Sequence, residues 1–156
     1  MIVRKLYATL LNKLTTSDKG LIIYGARQVG KTTLVNELTN KLGLKTLVVS
    51  GDQSRYLDVL SSGDLGKIKD LVAGYELLFI DEAQRIPEIG INLKIIRDEL
   101  PKLKLIVTGS SSLDLASQVS EPLTGRVWTY KLYPIAVSEI VDIYNPFELE
   151  NNLEER

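Results

Sequence analysis

The chain has 156 residues, 44% of them hydrophobic and 25% charged, which is enough for one domain with one core and too little for a second. It contains no cysteine and no histidine, so disulfides, thiolate zinc sites, cysteine nucleophiles and histidine-based triads are excluded, and acid–base work falls to carboxylates or lysine. A net charge of -1 and a pI near 5.6 exert no global pull toward nucleic acid or anionic lipid.

The chain opens on "MIVRKLYATLLNKL", where Ile2, Leu6, Leu10 and Leu14 recur every fourth residue. Lys13 interrupts the apolar stretch and no small-residue cleavage pattern follows, so the segment reads as an amphipathic helix packed on the domain rather than a targeting signal. "GLIIYG" is then a strand closed by Gly25, and "KTTLVNELTNKLG" a helix ended by Gly43. "KTLVVS" reads as a second strand, followed by a weak helix around Tyr56 to Leu60 and a helix capped by Asp64 and running to Val72. "ELLFID" is the third strand, "EIGINLKIIRDEL" a helix stopped by Pro101, and "KLKLIVTG" the fourth strand. A helix over 112–119, a fifth strand "RVWTYKL" and a short helix over 137–144 complete the order. Trp128, Tyr130 and Tyr133 are expected to fill a sheet face rather than form an exposed patch.

Apolar strands alternating with helices predict an α/β fold, because continuous runs such as "LLFI" and "LIIY" require burial on both faces of a mainly parallel, five-stranded sheet. In such sheets ligands sit beyond the carboxyl ends of the strands, where Gly25, Asp81, Glu82 and Thr108 fall. No apolar run approaches the roughly 20 residues of a membrane-spanning helix. A soluble, cytoplasmic chain is expected, in line with the missing cysteine.

"GARQVGKT" matches G-x-x-x-x-G-K-[ST] and lies after a strand and at the start of a helix, as the motif requires. Gly25 and Gly30 let the backbone of Ala26, Arg27, Gln28 and Val29 turn and approach oxygen atoms, and the N–H groups opening the next helix face anionic phosphate. Lys31 is expected at the β- and γ-phosphates, Thr32 on Mg²⁺ and Thr33 toward the α-phosphate. The motif predicts triphosphate binding and leaves the base and hydrolysis open.

Asp81 and Glu82 stand side by side at the end of the third strand, an arrangement that like-charge repulsion disfavours. A magnesium nucleotide reverses the local electrostatics, and successive side chains at a strand end leave in opposite directions. Asp81 is therefore expected in the metal shell and Glu82 at the attacking water as general base.

Taken together, "GARQVGKTTL", "FIDEAQRIP", "LIVTGSSSLDL" and "LTGRVWTYKLYPIAVSEI" resemble the prokaryotic AAA+-like branch of P-loop ATPases, from about Lys19 to Ile140. The resemblance implies a three-layer P-loop NTPase sandwich in which the strand of the third motif lies between the phosphate-loop strand and the Asp81 strand. It implies ATP and Mg²⁺ as ligands, and Ser110, with Thr108 as the alternative, as the sensor of the γ-phosphate or the attacking water. Arg126 is the candidate arginine finger, from its own or a neighbouring subunit, with Arg85 and Arg27 as competitors; Arg85 is also close enough to the Asp-Glu pair to form an ion pair with it. The expected organisation is a helix over 1–18, an ATPase domain over 19–144 and an acidic, frayed tail over 145–156. Such proteins generally continue into a helical lid and a C-terminal domain often linked to DNA or other macromolecules, for which this chain has no matching residues. The expected activity is Mg²⁺-dependent ATP hydrolysis coupled to conformation or assembly. Its rivals are a non-hydrolysing, nucleotide-controlled module for a protein or nucleic-acid partner, and a small-molecule kinase, for which no arginine-rich lid is seen. A homo-oligomer is compatible with either of the first two readings, and no membrane partner is expected.

Overall fold

The computed structural model describes residues 4–110 and 113–135. The helix expected over 137–144 and the tail over 145–156 lie outside the described residues.

The elements follow the order expected from the sequence: α1 (Leu6–Thr16), β1 (Gly20–Tyr24), α2 (Lys31–Leu42), β2 (Thr46–Ser50), α3 (Ser54–Leu60), α4 (Leu65–Val72), β3 (Leu77–Asp81), α5 (Ile89–Glu99), β4 (Lys104–Gly109), α6 (Leu113–Ser120) and β5 (Val127–Lys131). Local chemistry sets several of the ends. Asp64 accepts from the Lys67 N–H at 3.2 Å and so caps α4. Gly43 adopts φ 65° and closes α2 through its N–H to the Thr39 carbonyl. α5 stops at Glu99, two residues before Pro101. Even the weak segment before Leu60 is helical, from Ser54.

The strands form one parallel sheet in the order β2-β3-β4-β1-β5. β4 thus lies between β1 and β3, as the resemblance implied. Alternation along the strands feeds two cores. Ile22, Val49, Leu78, Ile80, Leu105 and Val107 face one side and pack with Leu60, Ile68, Leu93, Ile96 and Leu115. Leu21, Ile23, Leu77, Phe79 and Ile106 face the other, against Leu10 and Leu14 of α1 and Leu34, Val35 and Leu38 of α2. Each such side chain contributes about 1.5–3 kcal/mol on burial, and this two-sided packing keeps the strand ends in register.

At the sheet edge, Trp128 and Tyr130 pack against the second core, as expected of strand aromatics. The Trp128 indole N–H donates to Ser17 Oγ at 3.1 Å, and Lys13 and Lys19 lie over its ring. Tyr133, just past the strand, is 63% exposed and does not fill the sheet face.

Candidate functional site

The carboxyl ends of β1, β3 and β4 are adjacent, and their last residues carry the polar chemistry. After β1 the backbone turns sharply at Gly25, where a Cβ would lie 2.6 Å from the Leu132 carbonyl oxygen and 2.9 Å from Val29 Cγ2. No other residue fits there. Gln28 and Gly30 both take positive φ, 65° and 94°, which folds the loop back onto the start of α2. Lys31 is only 5% exposed, and its ammonium lies in the bowl of this loop, donating to the Gly25 and Ala26 carbonyls at 2.7 and 2.8 Å. A buried lysine held by backbone carbonyls at the start of a helix is a point charge placed for an anion.

Asp81 closes β3 and is gripped from both sides. Thr32 Oγ1 donates to its Oδ2 at 3.1 Å, and Thr108 Oγ1 donates to its Oδ1 at 2.5 Å. Thr108 is fully buried, so its hydroxyl orients Asp81 rather than facing the cleft. That leaves Ser110, at the exit of β4, as the sensor candidate of the two. Among the described residues no three carboxylates cluster to cage a cation. The Thr32 and Asp81 oxygens are instead a hard-donor pair of the kind that suits Mg²⁺.

Glu82 does not follow Asp81. It adopts the left-handed conformation, φ 53° and ψ 45°, which costs a non-glycine residue about 1–2 kcal/mol and turns the chain into a short 3-10 segment, Ala83–Arg85. The turn is braced by β2: Gly51 N–H donates to the Asp81 carbonyl at 2.8 Å, and a Cβ on Gly51 would run into the Glu82 carbonyl oxygen. Strand alternation and this kink together separate the paired carboxylates. Asp81 points at the threonines, while Glu82 lines a cleft of about 450 Å³ shared with Arg27, Lys31, Thr32, Asp52 and Arg85. The Glu82 carboxylate accepts from Gln84 Nε2 at 2.5 Å. The other end of that amide, Oε1, is buried with no partner among the described residues, at a cost of about 1–3 kcal/mol.

The arginines are distributed differently from expectation. Arg85 pairs with Asp52, Nε to Oδ1 at 2.9 Å, and not with the Asp-Glu pair, because the 3-10 turn carries it toward the loop after β2. Arg27 lies in the phosphate loop and lines the cleft. Arg126 is not brought to the cleft of its own chain. Its carbonyl accepts from the Gly20 N–H, at the amino end of β1, about 13 Å from Tyr24 at ~3.3 Å per residue. Its guanidinium forks onto Asp98 at 2.7 and 3.3 Å, and this hydrogen bond pulls the Asp98 carboxyl below its ordinary pKa.

Asp52, Gln84 and Arg4 had no motif to mark them. Arg4 is 8% exposed and donates to the Val29 carbonyl at 2.8 Å and to the Tyr133 carbonyl, tying the phosphate loop to the exit of β5. Beside it, on the far side of Gly30 and Thr33 from the cleft, a groove of about 370 Å³ is walled by Val29, Leu34, Pro134 and Ile135, with Glu37 at its edge.

A family model described as an AAA domain matches residues 17–141. The chain belongs to that family, within the AAA+-like P-loop ATPases. The uncharacterized protein Rv2008c of Mycobacterium tuberculosis is 29% identical over 141 residues, 90% of this chain and 31% of that protein, so the chain spans about a third of its length. A shorter match, 36% identical over 67 residues, links 43% of this chain to 18% of the Holliday junction branch migration complex subunit RuvB of Acholeplasma laidlawii. Among solved structures, AMPPCP-bound DnaA from Aquifex aeolicus superposes with a TM-score of 0.62 at 18% identity, covering 100% of this chain and 53% of that one. The Thermotoga maritima RuvB Holliday junction branch migration motor gives 0.59 at 22% identity, covering 91% and 49%. At these identities the structural matches establish the fold. It is the α/β sandwich with a parallel five-stranded sheet. No helix among the described residues is long and apolar enough to cross a membrane.

Proposed function

We propose that this AAA domain is a cytoplasmic, Mg²⁺-dependent ATPase, with the phosphate loop of Gly25, Ala26, Arg27, Gln28, Val29, Gly30, Lys31, Thr32 and Thr33 holding the triphosphate. The observation that carries the reading is the division of the adjacent carboxylates, with Asp81 locked between Thr32 and Thr108 and Glu82 turned into the cleft beside Lys31. Thr32 Oγ1 and Asp81 would hold Mg²⁺, which would supply charge neutralisation to the phosphates. Lys31 and the loop N–H groups hold the phosphates in line. Glu82 takes the proton of a water whose oxygen bonds to the γ-phosphorus; the bond to the β–γ bridging oxygen breaks, and its electron pair leaves with ADP. Ser110 is assigned to the γ-phosphate side as sensor. The apolar groove at Val29, Leu34 and Ile135 is of the right size and polarity to seat the base.

Arg126 fits the finger role only across a subunit boundary, since in its own chain it forks onto Asp98. ATP turnover would then require a homo-oligomer, and the nucleotide state would control assembly or the engagement of a protein or DNA partner. The same observation favours the second reading, a nucleotide-controlled binding module that does not hydrolyse ATP. Mg²⁺-ATP hydrolysis measured across a wide protein-concentration series, with Glu82→Gln as control, separates the two. The first reading expects a rate per molecule that rises with concentration and falls at least about a hundredfold in the control. Tight ATP binding with no Glu82-dependent turnover at any concentration selects the second.

A further inference from the structure

The amide of half-buried Gln84 has no part in the chemistry described so far. Its Nε2 donates to Glu82 Oε2 at 2.5 Å, while its Oε1 is buried and unpartnered among the described residues. The orientation of this amide is chosen by chemistry, because the flipped form would press a carbonyl oxygen against a carboxylate. An orphaned carbonyl is the consequence of presenting an N–H to Glu82. The space for it comes from β4. A Cβ on Gly109, the last residue of that strand, would lie 3.0 Å from Gln84 Oε1 and would also collide with Leu115. Glycine there admits the amide between the ends of β4 and β3. Glu82 meanwhile sits on a left-handed backbone at the mouth of the cleft, where its carboxylate needs a side-chain partner to hold one rotamer.

We propose that Gln84 is a positioning residue that holds the Glu82 carboxylate in the orientation from which it accepts a proton from the attacking water. The proposal rests on the hydrolytic reading of the cleft. Gln84 acts through Glu82 alone, by a hydrogen bond to an ionised acceptor, which is shorter and more directional than one between neutral groups.

The test is a double-mutant cycle on the full chain with Mg²⁺-ATP, using Gln84→Ala and Glu82→Gln alone and together, with nucleotide affinity titrated by fluorescence for each variant. Gln84→Ala is expected to lower kcat about tenfold, the lower range for losing an orienting partner, with KM and nucleotide affinity within about twofold of wild type. In the Glu82→Gln background it is expected to cost nothing further. A purely structural role would instead weaken affinity, lower Tm or multiply with Glu82→Gln, and any of these overturns the proposal. Gln84→Glu keeps length and volume but removes the donor; wild-type kcat in that variant also overturns it. A second readout needs no turnover: in the nucleotide-free protein the Gln84 side-chain amide proton should resonate downfield of ordinary glutamine amides and return to their range in Glu82→Ala. An unshifted resonance in the wild type means that the bond does not form. Failure of the parent reading looks different: a wild type with no Glu82-dependent hydrolysis removes the reaction itself, whereas hydrolysis lost in Glu82→Gln and untouched in Gln84→Ala sinks the positioning role alone.

Discussion

Arg97 and Lys31, two of the buried cations, lie at opposite ends of the same sheet, and their surroundings differ in kind. At the amino end, Arg97 is 7% exposed and spreads its guanidinium over the Asp18, Leu100 and Leu103 carbonyls. Burial pulls its pKa down to about 10, so the charge is carried at a cost that those hydrogen bonds offset. Its hydrogen-bond acceptors are backbone carbonyls belonging to the fold, with the Asp18 charge in support, and the result is a tie between the entries to β1 and β4. At the carboxyl end, Lys31 is as deeply buried and also rests on carbonyls, yet beyond it stand the Thr32 and Thr108 hydroxyls, the split carboxylates and an open cleft. A cation enclosed by the chain holds the chain together; one enclosed on a single side is placed for something that arrives.

If that contrast is right, Lys31→Ala should abolish ATP binding, at least about a hundredfold by titration, while leaving Tm nearly unchanged. A Tm drop as large as the binding loss would make Lys31 another structural tie. Next in size, Glu82→Gln should still bind ATP but turn over at least about a hundredfold more slowly; equal turnover by the two proteins sinks the base assignment. Arg97→Met should show the reverse pattern, losing about 2 kcal/mol of stability in denaturant titration as buried carbonyls lose their donor, with nucleotide affinity intact in the folded protein. Thr108→Val removes one of the two hydroxyls on Asp81 and should weaken the Mg²⁺ dependence of ATP binding about tenfold, read as a shift in the magnesium midpoint. The smallest effect belongs to Asp98 and Arg126, a solvent-screened pair. Because the pair depresses the folded-state pKa of Asp98, its contribution is present above the ordinary carboxylate pKa and is lost as the pH falls through the lowered value. Arg126→Ala should flatten that acid limb slightly and reduce turnover only where subunits associate.

Much of this was legible in advance for local reasons. The phosphate loop is written in contiguous residues whose spacing is itself the geometry, and the strands reveal themselves by runs that only two-sided burial explains. Helix ends at Gly43, Asp64 and Pro101 follow from capping chemistry that needs no tertiary knowledge. The partners of Asp81 are different, since Thr32 and Thr108 stand 49 and 27 positions away and meet it only once β4 is set between β1 and β3. Arg85 was expected beside the Asp-Glu pair because it is near in sequence, but the left-handed turn at Glu82 sends it to Asp52. Gln84, a neutral residue just after the Asp-Glu pair, offers no signal at all until its amide is seen to donate to Glu82 with its oxygen buried.

Arg4 carries a mechanical consequence. One guanidinium is shared between the Val29 carbonyl inside the phosphate loop and the Tyr133 carbonyl where the chain leaves β5. Hydrogen bonds tolerate only a few tenths of an ångström before weakening. A larger shift of the loop must therefore drag the β5 exit along or break a charge-assisted bond worth about 1.5–3 kcal/mol. The phosphate loop and the exit of β5 are thus geared to each other by Arg4, a residue that precedes α1, beside the backbone bond from the Leu132 N–H to the Tyr24 carbonyl.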